Sequence, residues 1–164
     1  MSELRVHLIL YRKNLRKVVK IMIYNALDIA AYIVVRTEEV DSNVSTIKMQ
    51  SLLYFCQAYF LMKKGEPCFN DDIIATNNGP MIDRVWNEFK KFGPGVIPKS
   101  YISYHLNRNP ILKSDEHLIN DVLYKFEGWL STQMLNIIFD QKPFKDALKR
   151  NKPISIKHMK KYFR

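Results

Sequence analysis

A chain of 164 residues, 47% hydrophobic and 26% charged, can bury most of the surface that it exposes when unfolded, which excludes an extended disordered polymer. No apolar run approaches the roughly 18–20 residues of a membrane span, and Val6–Tyr11 is too short and wrongly flanked for a secretory leader, so the expected location is the cytoplasm. The net charge of +10 asks for an acidic partner without choosing among nucleic acid, membrane surface and protein.

Residues 1–21 read as a basic amphipathic extension and residues 22–164 as one domain. Leu4, Leu8, Tyr11, Leu15, Val18 and Met22 alternate at steps of four and three, and six cations against Glu3 supply half of the net charge. Four readings stay open for this stretch: a homo-oligomer through residues 4–22, a basic helix on a membrane or partner, an extension docked on its own domain, and translation starting at Met22.

Asn25 opens a helix over residues 26–39, with Leu27, Ala30, Ala31 and Val34 facing inward. Asp41-Ser42-Asn43 breaks the chain before the stretch around which the rest is organised. Ser45 caps a helix on which Met49, Leu52, Leu53, Cys56 and Phe60 share a face, and Lys63, Lys64 and Gly65 close it. Its other face carries Tyr54, Phe55, Gln57 and Tyr59, so it is apolar nearly all round and belongs at the centre of the domain.

A loop follows, with a brief strand expected at 73–76 and a turn at Asn77-Asn78-Gly79-Pro80. Ile82, Val85, Trp86 and Phe89 mark the next helix, stopped by Gly93-Pro94-Gly95. Residues 96–109 read as an extended loop with a second short β element near 96–104. Asp115 is expected to cap a helix running through Glu127, with Gly128 ending it. Ser131 starts another, Pro143 precedes a short turn of helix over 144–149, and Ser155 caps the last.

No glycine-rich phosphate loop and no metalloprotease histidine pair is present. His7, His105, His117 and His158 stand in separate segments, and Asp71-Asp72 reads as solvated turn chemistry. Cys56 and Cys68 are too few for a disulfide framework. No cofactor, metal or catalytic residue is expected. Lys149, Arg150, Lys157, Lys160 and Lys161 give the last quarter a basic character that suits nucleic acid or a solvated face.

Five motifs in order carry a resemblance: Leu27–Ile33, Lys48–Gln57, Gly65–Phe69, Gly79–Trp86 and Pro143–Ala147. Together they resemble the Panacea antitoxin domain, also called the SocA-like or phage-associated GepA-type family, over about residues 24–163. The chain departs from that pattern at Ser51, Thr76 and Ile138-Phe139. The resemblance implies a helical protein that neutralises a toxin encoded nearby by binding it, without catalysis. It also implies an alternative in which the protein hands the toxin to a AAA+ protease; a nucleic-acid-binding regulator is the third reading.

The expectation is therefore a mainly α domain of about six or seven helices, with Tyr54, Gln57, Gly79, Pro80 and Trp86 as candidate toxin contacts.

Overall fold

Ten consecutive residues, Met49 through Ala58, lie buried in the middle of a single helix. That helix, Thr46–Lys64, is α2, and the other elements are arranged around it. A computed structural model describes residues 23–38, 43–106 and 109–164. The expected extension over 1–21, with its stripe through residues 4–22, lies outside the described residues, as does the Asp41-Ser42 part of the polar break.

Before α2 comes α1, Ala26–Glu38. After it, Ile74–Thr76 (β1) and Gly79–Met81 (β2) pair antiparallel, Ile74 opposite Met81 and Thr76 opposite Gly79. Then follow α3, Asp83–Phe89, a turn of 3-10 helix at Lys90–Phe92, and α4, Lys99–His105. The chain ends in α5, Lys113–Lys125; α6, Ser131–Asp140; α7, Lys142–Arg150; and α8, Ile156–Tyr162. Among the described residues no helix is long and apolar enough to cross a membrane.

The architecture is mainly helical, as expected. α2 packs against α1, α3, α5, α6, α8 and β2, which explains why no face of it is polar: a helix touched on all sides has no stripe to leave in water. Its ends are closed as the residues predict. Ser45 Oγ accepts from the Lys48 amide at 3.3 Å, and Gly65 takes φ 72° while its N–H donates to Leu61 O at 3.1 Å.

Eight α-helices form among the described residues, one more than the sequence reading allowed. The extra one is α4, where a β element near 96–104 was expected; only Val96 has strand character, bridging Ser45. Tyr101 and Tyr104 favour extended backbone in isolation, but packing decides here. Ile102 is 1% exposed, and the Tyr101 ring meets Phe92 edge-on at 5.1 Å and stacks on His105, one helical turn later, at 4.6 Å.

A second correction concerns Asp115. It does not cap α5, whose N-cap is Leu112. It lies in the first turn, 3% exposed, and its carboxylate accepts from Tyr24 Oη at 2.8 Å and pairs with Lys64 Nζ at 2.7 Å. The group that sequence assigned to local capping serves long-range ties between α5, the segment preceding α1 and the end of α2.

Candidate functional site

The expected contact residues part company in the fold. Tyr54 is wholly buried, and its hydroxyl donates to Gln141 Oε1 at 2.6 Å. Gln57 is equally buried and satisfies three backbone groups of the loop after α2. Its Oε1 accepts from Cys68 N at 2.7 Å and Phe69 N at 3.2 Å, while Nε2 donates to Phe69 O at 3.1 Å. Neither side chain offers surface to a partner, because α2 is enclosed along this whole stretch.

Gly79 and Pro80 are buried in β2, the turn itself being Asn77-Asn78. Thr76 Oγ1 ties the hairpin, donating to Gly79 O at 2.8 Å and accepting from Asn78 N at 3.1 Å. Gly79 has φ 116°, and a Cβ there would fall 2.4 Å from Leu135 Cδ2 on α6. The positive φ is what favours glycine here, and a Cβ would in addition oblige the Leu135 side chain to move aside. Trp86, by contrast, is 39% exposed on α3.

Beside α3 opens a polar cleft of about 630 Å³ whose walls include Asn25, Asp28, Asn70, Asp71, Arg84 and Asn109. The Asp71 carboxylate, read from sequence as turn chemistry, accepts from the Ala26 amide at 2.7 Å and from Arg84 Nε at 2.6 Å. It thereby satisfies an otherwise unpaired N–H of the first turn of α1 from a distant segment. Next to it, Asn25 Oδ1 accepts from Asp28 N at 2.9 Å, the local cap that the sequence predicts.

Asp28 in turn accepts from both Asn109 N and Asn109 Nδ2, each at 3.0 Å. Hydrogen bonding to Asp71 holds the Arg84 guanidinium above even its ordinary pKa, and more than half of the Arg84 side chain remains exposed. The cleft therefore has anchored carboxylates in its wall and one presented guanidinium at its rim, an arrangement suited to gripping a polar surface.

Sequence reasoning missed Arg84, Asp71 and Asn109 because their partners lie 13, 45 and 81 residues away. The available signals were Asp28 within the Leu27–Ile33 motif and Arg84 within the Gly79–Trp86 motif.

At the C-terminal end, Lys149, Arg150, Lys157 and Lys161 are exposed, whereas Lys160 is half-buried and donates to Gly65 O. Lys160 thus serves the end of α2, where unpaired carbonyls favour a cation. Burial pushes the Cys56 thiol up to about 12 and Cys68 well above its usual value, which makes both poor nucleophiles. Among the described residues no group of three or more His, Cys, Asp or Glu gathers as a metal cluster would.

No curated protein and no solved structure matches the chain. A family profile described as antitoxin SocA-like, Panacea domain, matches residues 49–145, from the core of α2 through the β-hairpin to the start of α7. That span holds the central helix, the Gly79-Pro80 strand, Asp71, Arg84 and Trp86, and the chain belongs to the antitoxin SocA-like, Panacea domain family.

Proposed function

We propose that this protein neutralises a protein toxin by direct, stoichiometric binding, with no bond made or broken. Family membership over residues 49–145 carries the reading. The exposed part of that span supplies suitable anchors: Trp86 presents an aromatic ring and Arg84 a guanidinium on the same short helix. These residue types dominate binding energy when a partner covers and desolvates them.

The test is co-expression with the product of the adjacent open reading frame. Growth rescue and a co-purifying complex are the expected results; the absence of both would overturn the proposal. Trp86→Ala should weaken the complex by about tenfold or more while shifting stability by less than about 1 kcal/mol, since a half-exposed side chain loses little on truncation outside a complex.

The exposed Lys149, Arg150, Lys157 and Lys161 favour a second reading, contact with nucleic acid. It predicts affinity for a duplex that falls steeply with salt, and binding that is absent or indifferent to salt would remove it.

A further inference from the structure

Between the C-terminal halves of α2 and α5 runs a groove of about 310 Å³ with almost wholly apolar walls. Phe55, Ala58 and Met62 form one side at i, i+3 and i+7, and Val122 and Phe126 form the other at i and i+4. The Phe55 and Phe126 rings stack on each other at 4.3 Å and, buried with Ala58 and Val122, make its floor, while Phe163 contributes from the end of the chain. Met62 and the neighbouring Tyr162 are each 45% exposed. This face is distinct from Trp86: α3 meets the first turns of α2 through the Thr46–Phe89 and Gln50–Ile82 bonds, and the groove begins a turn or more further on.

The shape suits a helix. Two ridged helices side by side leave a channel that accepts side chains of a third at i, i+3 or i+4, and i+7. The wall from Phe55 to Met62 spans about 10 Å at 1.5 Å per residue, which matches two turns of such a helix.

The charge selects its composition. Lys125 lines the groove, Lys63 Nζ sits 5.4 Å from the centre of the Tyr59 ring at its rim, and the exposed Lys161 and Arg164 lie within two residues of Phe163 in the chain. Among the described residues neither Lys63 nor Lys125 has a carboxylate partner. The one carboxylate in the lining, Asp121, accepts from the Tyr59 hydroxyl at 3.0 Å. Lys63, Lys125, Lys161 and Arg164 outnumber the one anionic Asp121, and that net positive surround favours an acidic segment over a basic one.

We infer that this groove receives an amphipathic helix of a protein partner, apolar on one face and acidic along its flanks. Resting on the antitoxin reading, the helix belongs to the toxin.

The probe is a labelled peptide of about 16 residues, long enough for an isolated helix to form, with leucines on one face and glutamates elsewhere. A twin carries lysines in place of the glutamates, and both are titrated into the full-length protein by fluorescence anisotropy. The acidic peptide should bind and weaken as salt is raised, with the basic twin at least about tenfold weaker. Met62→Asp should reduce acidic-peptide affinity about tenfold by placing a charge in the apolar wall, and Lys125→Glu several-fold. Trp86→Ala should leave it unchanged.

Equal binding of the twins, no binding of either, or indifference to Met62→Asp in a protein with unaltered circular dichroism overturns the groove. So does an affinity gain of about tenfold in Leu8→Asp or Leu15→Asp, because the chain's own N-terminal stretch would then be the occupant. In co-expression, a folded Met62→Asp variant that still rescues growth overturns the assignment of the helix to the toxin. Failure of the unmodified protein to rescue defeats the antitoxin reading instead, and the peptide titration still decides the groove.

Discussion

The hydroxyl of Tyr54 donates to Gln141 Oε1 at 2.6 Å, joining the middle of α2 to the junction of α6 and α7 across 87 residues of sequence. Tyr54 is 0% and Gln141 8% exposed. A tyrosine in a family motif, which invites a role in recognition, here closes the interior.

Tyr54→Phe should therefore cost stability and not binding. It leaves a buried acceptor unpaired, a loss of about 1–3 kcal/mol. Urea denaturation measures the first part, and toxin neutralisation per mole of folded protein, unchanged from the parent, measures the second.

Gln57→Leu should be costlier. It preserves much of the volume but strands two amides and a carbonyl in the loop at Cys68-Phe69, on the order of 3 kcal/mol or more. Amide hydrogen exchange should lose protection first at Cys68 and Phe69, before any global opening.

Gly79→Ala should destabilise by about 2 kcal/mol or more, through positive φ and the encounter with Leu135 together. A second variant separates the two causes. In a Leu135→Ala background the same change should cost less, since the clash is gone and only the backbone strain remains. Strictly additive costs would show that Leu135 does not limit the site.

Burial pushes the Tyr24 phenol up to about 12, opposed by the amide of Leu112 that donates to it and reinforced by Asp115. The folded state thus holds the proton longer than the unfolded chain, whose tyrosine titrates near 10. The stabilising contribution is complete below about pH 10 and is lost as pH rises toward 12. Tyr24→Phe should be less stable than the parent at pH 7, by about 1–2 kcal/mol for a buried hydrogen-bond pair. That deficit should shrink across the alkaline range, as pH-dependent urea midpoints will show; a constant deficit would contradict the assignment.

How much of this was legible depends on how far apart the interacting groups lie. The caps at Asn25, Ser45, Gly65 and Ser155 were readable because donor and acceptor are three or four residues apart. The helix at Lys99–His105 was not, because its reason is a ring cluster with Phe89 and Phe92. Asp71 and Asp115 were misread for the same reason, both having been assigned to their own neighbourhood when their partners come from elsewhere.

The sequence by itself determined the helical class, the central place of Met49–Phe60 and the family, since periodicity, caps and ordered motifs are local patterns that survive without coordinates. Only the tertiary structure decided which motif side chains face inward. On a helix apolar all round, periodicity cannot distinguish a polar group that binds a partner from one that satisfies a distant backbone, and Tyr54 and Gln57 do the latter. The polar cleft at Arg84 and the aromatic groove at Phe55 and Phe126 likewise exist only where separate segments meet.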